Sequence, residues 1–170
     1  MPSARVSIQF ASRGSRLILV AAAIFLGAAC KKSVPVPSGD ITASLPQSTI
    51  SEATFDPATL KGKPTLVVFA SPTCGHCFAE LPVAQAAAGA ENANIVAVFI
   101  VGAKQQAKTM VERAKFTATT LVDTAGQLRV KYDIKGVPYL LVLGPDGQAR
   151  EAFRGEQDEQ TLRSALASAR

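Results

Sequence analysis

A chain of 170 residues leaves room for one ordinary domain behind an N-terminal extension. It holds 18 lysines and arginines against 13 acidic side chains, but Arg5, Arg13 and Arg16 precede any acid, so the rest carries 15 basic and 13 acidic groups, a net charge of +2. That balance gives no nucleic-acid signal, and no stretch reaches the roughly 18 consecutive apolar residues of a membrane-spanning helix.

The first 29 residues read as a targeting segment. A basic start leads into Leu17–Ala29, an unbroken run of apolar and small residues that ends in Leu26-Gly27-Ala28-Ala29 just before Cys30. Signal peptidases need small side chains at such a place. The pattern resembles the lipobox of bacterial lipoproteins, with Gly27 where Leu is commoner. It implies that residues 1–29 are a lipoprotein signal peptide and that Cys30 is acylated as the mature N-terminus. An ordinary cleaved signal or a short uncleaved anchor, with Cys30 incidental, is the alternative. With Cys30 lipidated, Cys74 and Cys77 are the cysteines left, and no structural disulfide framework remains. Lys31 and Lys32 would then meet anionic head groups.

From Cys30 to Pro46 the chain is Pro/Ser-rich and poor in large apolar groups, which predicts a flexible tether. A domain is expected over 47–170. Thr65–Ala70 is a short β-rich apolar run and predicts a buried central strand. Ser71 and Pro72 break it, and a helix-compatible stretch follows from Cys74 to about Ala88, with Pro82 inside. Asn94–Val101 predicts a second buried strand. Lys104–Phe116 has helical spacing through Ala107, Met110, Val111 and Ala114. A short strand over Thr119–Val122 and a brief turn or helix over Gln127–Tyr132 come next. Tyr139–Leu143 and Gln148–Phe153 flank Gly144-Pro145-Asp146-Gly147, a hairpin signal. Asp158 is a plausible N-cap for a last helix with Leu162, Ala165 and Leu166 on one face. The order β-α-β-α-β-β-α calls for an α/β fold, a central mixed β-sheet with helices on both faces.

Cys74-Gly75-His76-Cys77 follows the first strand and opens a helix, the context in which Cys-x-x-Cys reads as redox-active. The thiolate is the nucleophile, and the free N–H groups and positive dipole of a helix start stabilise it. Cys74 is therefore expected to be the exposed attacking sulfur and Cys77, one turn on, the more buried resolving sulfur. A structural zinc site needs about four ligands, and His76, the single histidine, lies between the cysteines. An inert local disulfide would restrain almost no unfolded-chain entropy. The two thiols need no cofactor and no metal.

Residues 60–168 resemble the thioredoxin superfamily, specifically the TlpA-like/ResA-like extracytoplasmic thiol–disulfide oxidoreductases. The resemblance rests on Gly62-Lys63-Pro64, Phe69-Ala70-Ser71 before the motif, Glu80-Leu81-Pro82 after it, and Gly136-Val137-Pro138 before the hairpin. It implies a thioredoxin-like fold, a cis Pro138 beside the dithiol that presents backbone to substrate, a helix-kinking Pro82, and a thiol-tuning role for Glu80. Protein thiols and disulfides would be the substrates, with an upstream redox partner, and cytochrome c maturation or general disulfide reduction or isomerisation the task. A monomer held at the membrane by its lipid, on the periplasmic side, is expected.

The chain departs from that pattern in four places. Val68 stands six residues before Cys74, where thioredoxin has a buried acid. Thr73 replaces the usual Trp, and Tyr139 follows Pro138 where Thr is common. His76 replaces the Pro of thioredoxin and gives the Cys-Gly-His-Cys of protein disulfide isomerases; an imidazolium beside the thiolate stabilises the reduced form and makes the dithiol more oxidising. Two other classes share the fold. A peroxiredoxin needs a Pro seven residues before its reactive Cys and a Thr or Ser three before; Ser71 fits and Val67 does not. A Sco-like copper chaperone wants a distant His, and the chain has none outside the motif.

Overall fold

The structure, a computed structural model, describes residues 34–170. The expected signal peptide, the Cys30 lipidation site and Lys31-Lys32 lie outside the described residues.

All six residues of β1 (Thr65–Ala70) are buried, as a strand covered on both faces requires. It pairs in parallel with β2 (Asn94–Phe99) and antiparallel with β4 (Tyr139–Leu143). β3 (Thr119–Val122) joins β2 in parallel and β5 (Ala149–Arg154) joins β4 antiparallel, for the order β3-β2-β1-β4-β5. Parallel neighbours need crossovers, supplied by α1 (Gly75–Ala90) and α2 (Lys104–Arg113). The β4–β5 step is the tight turn expected at Gly144–Gly147, closed by Gly147 N–H onto the Gly144 carbonyl at 2.9 Å. Asp158 caps α4 (Glu159–Ser168), accepting from Thr161 N–H at 2.8 Å.

On one face, α1, α2 and α4 pack Leu81, Ala84, Met110, Leu162 and Leu166 against Leu66, Val68 and Ala97. On the other, Val67, Phe69, Val98 and Leu141 meet Leu128 of α3 (Gln127–Lys131) and three residues of the N-terminal segment, Ile41, Leu45 and Leu60. The mixed sheet with helices on both faces is as expected. α1 runs unbroken through Pro82, whose missing N–H leaves the Phe78 carbonyl without its helical donor.

The loose stretch expected as far as Pro46 is shorter than its composition suggests. From Asp40 the chain is bound in. Asp40 bridges to Gln148, Ile41 N–H donates to the Gly147 carbonyl at 3.0 Å, and Ile41 and Leu45 are 1% and 5% exposed. A 3₁₀ turn over Thr42–Ser44 sets these two side chains on the same apolar face. Beyond it, Thr49 bridges to Leu121 along the outer side of β3.

Candidate active site

The site forms where β1 and its parallel neighbour β2 end together, at Ala70 and Phe99, the end of a parallel sheet at which α/β folds place their chemistry. Ser71 to Thr73 turn the chain, and Cys74 becomes the N-cap of α1. Its sulfur takes the place of a capping oxygen and accepts the Cys77 N–H at 3.1 Å. A helix start thus offers this sulfur a backbone donor as well as the positive end of the dipole. The Cys74 thiol in turn lies 3.6 Å from the Val137 carbonyl, onto which it donates.

Val137–Pro138 is a cis peptide, as expected, and Pro138 is buried. Cys74 is partly exposed and Cys77 fully buried, the asymmetry expected of an attacking and a resolving sulfur. Both thiols are free. Burial pushes the Cys77 thiol well above the usual range for cysteine, the neighbouring Cys74 adds to that, and the Ser71 backbone opposes it. Gly75 is exposed, with open space where a Cβ would stand.

Glu80 is not a solvated helix carboxylate: it is 1% exposed. Its Oε2 accepts the Gln157 N–H at 2.8 Å, and its Oε1 is buried with no partner among the described residues. Burial pushes its carboxyl up to about 7. The Gln157 N–H opposes the shift, and the charges of Glu156 and Asp158 add to it. Val68, six residues before Cys74, is wholly buried and apolar. The buried acid of this site therefore comes from α1, one turn past Cys77, instead of from β1.

His76 is held in a way the sequence did not suggest. Its Nδ1 lies 2.6 Å from Glu156 Oε1, with the imidazole largely exposed. Glu156 belongs to a turn of three consecutive residues that touches three parts of the site. Gly155 N–H donates to the Pro138 carbonyl at 2.9 Å, Glu156 meets His76, and Gln157 N–H meets Glu80. Gly155 has φ +83°, which a residue without a Cβ adopts freely. These residues join β5 to α4, some 80 positions from the motif, and no local pattern marks them.

A dithiol at a helix N-terminus, facing a cis-proline loop on a five-stranded mixed sheet, defines a thioredoxin-fold redox protein. A family model described as a thioredoxin-like domain matches residues 52–170, and the chain belongs to that family. It is 29% identical over 135 residues to the soluble secreted antigen MPT53 of Mycobacterium tuberculosis, covering 77% of this chain and 76% of the relative. Among solved structures it is similar to a secreted M. tuberculosis disulfide oxidoreductase homologous to E. coli DsbE. That likeness has a TM-score of 0.66 and 25% identity, over 76% of this chain and 99% of that one. StoA from Bacillus subtilis shares the fold, with a TM-score of 0.58 and 22% identity over 69% of this chain and 92% of that one.

Proposed function

We propose that this thiol–disulfide oxidoreductase works outside the cytoplasm as a monomer tethered to the membrane through a lipid on Cys30, exchanging disulfides in other proteins through Cys74 and Cys77. The observation that carries the reading is Cys74 at the α1 N-cap, with Cys77 N–H on its sulfur and the Val137 carbonyl beside it.

The Cys74 thiolate attacks one sulfur of a substrate disulfide. The substrate S–S bond breaks, a Cys74–substrate disulfide forms, and the released substrate sulfur takes up a proton. Cys77 then loses its proton and attacks the Cys74 sulfur. The mixed disulfide breaks, and the substrate leaves with both electrons as a dithiol while the protein holds the Cys74–Cys77 bridge. Burial holds Cys77 protonated, so this second step needs a base. The unpartnered Oε1 of Glu80, one turn away, accepts that proton. An upstream thiol donor returns the protein to the dithiol by the same steps in reverse. The backbone of Val137 and Pro138 aligns the substrate chain beside Cys74.

An isolated imidazolium at His76 would favour oxidising work. Glu156 supplies it with a counter-charge at 2.6 Å, which offsets that pull and supports reductive work, of which cytochrome c maturation is one kind. The test is insulin-disulfide reduction together with trapping in cells. Cys74→Ser abolishes both turnover and adducts, whereas Cys77→Ala accumulates mixed disulfides. Full reductase activity in Cys74→Ser would overturn the assignment.

A further inference from the structure

A groove of about 510 Å³ opens beside Cys74, on the side of α2, between that helix and the first turns of α1. Its floor is apolar. Phe78 is 39% exposed there, and Met110 and Pro72 complete the surface. The small Thr73 leaves the groove open next to Cys74, where the bulky Trp expected from the family would stand. Thr73 Oγ1 is itself tied to Ser71 Oγ at 3.1 Å.

The other polar side chains along the groove each have their oxygen engaged by the protein. Gln106 Oε1 accepts from Ala103 N–H at 3.1 Å, and Thr109 Oγ1 donates to the Gln105 carbonyl at 3.1 Å. Arg113 is the exception. It is exposed, stacks over the Phe78 ring at 5.7 Å, and no carboxylate pairs with it among the described residues. Stacking on a ring fixes the guanidinium plane while leaving its N–H donors free, ready for a carboxylate from outside. The groove thus presents an attacking sulfur at one end, an exposed aromatic in the middle and a bare guanidinium beyond.

We propose that this groove selects the substrate: it takes polypeptide disulfides whose cysteine is flanked by an apolar side chain, seated on Phe78 and Met110, and then by an acidic one that pairs with Arg113. This rests on the thiol–disulfide reading and narrows its substrate class. Charge complementarity names the occupant, because the groove's one charged lining side chain is a cation without a counter-ion.

The test uses two disulfide-linked peptides that differ at one flanking position, one carrying Glu and the other Lys, and single-turnover reduction by the full domain in its dithiol form. The wild type reduces the Glu peptide with a second-order rate constant about three- to fivefold higher, the scale of one solvent-exposed ion pair, and added salt shrinks the ratio. Arg113→Glu reverses the order. Phe78→Ala slows both peptides and, by releasing the Arg113 guanidinium from its ring, narrows their ratio without reversing it. Equal rates on the two peptides in the wild type, or a preference for Glu that survives Arg113→Glu, overturns the groove as a selector while leaving the chemistry standing. Failure of the wild type to reduce either peptide overturns the chemistry itself.

Discussion

Glu80 carries a carboxyl into a wall otherwise made of Leu81, Ala84, Leu162 and Leu166, and its protonation links the site to folding. Its carboxyl sits near 7 in the folded chain and at 4.5 in a free side chain, so folding takes up a proton between those values. The stability it contributes is complete below about 4.5 and is lost as pH rises through about 7. Over that span the loss is on the order of 3 kcal/mol. Urea unfolding from pH 4.5 to 8 measures this slope, and in Glu80→Gln it flattens. If Glu80 accepts the Cys77 proton, the same variant also slows release of the mixed disulfide above pH 7, in stopped-flow single turnovers.

Among short elements, the Gly155–Gln157 turn and the Ser71–Thr73 loop hold the site from opposite sides. The His76–Glu156 pair is too exposed to matter much for stability, so Glu156→Gln leaves the unfolding midpoint nearly unchanged. It does remove one of the charges that raise Glu80. The Glu80 carboxyl, followed by carbon-13 NMR, then titrates at a lower pH than in the wild type. The other side depends on Gly102, which lies just past β2 with φ +91°. A Cβ there would fall 2.5 Å from Pro72 Cγ. Gly102→Ala therefore costs on the order of 2 kcal/mol through strain and the forced shift of Pro72. Thermal unfolding registers that loss, and a changed alkylation rate at Cys74 registers the displaced loop.

The strands, the long helices and the dithiol were legible because each is written locally: apolar runs of strand length, a cap residue, a hairpin tetrapeptide, two cysteines one turn apart. The burial of Glu80 was not, since it depends on a main-chain N–H 77 positions away, and from α1 alone a carboxylate at that spacing reads equally well as solvated. The partner of His76 escaped for the same reason.

At the scale of the whole molecule, the N-terminal segment behaves as part of the second core. Its Pro/Ser content hides two side chains, Ile41 and Leu45, that complete the face left open by the short α3. A chain beginning at Gln47 gives up both. At about 1.5–3 kcal/mol for each fully buried aliphatic side chain, it is less stable than one beginning at Val34 by about 3 kcal/mol or more, a difference that urea midpoints resolve. A midpoint unchanged by the shortening would show that Ile41 and Leu45 add nothing to the core.

The bridge between Thr49 and Leu121 reaches further than its size suggests. With Ile50 N–H on the Thr120 carbonyl and Val122 N–H on that of Ser48, the free margin of β3 is already taken by the chain itself. The opposite margin, β5, is guarded by Arg150, Glu151 and Arg154, the kind of charge that turns away an incoming strand. Sealed at one border and fenced at the other, the sheet offers a visiting backbone little at either margin, and on the proposed reading that backbone berths at half-buried Val137, against the Cys74 sulfur.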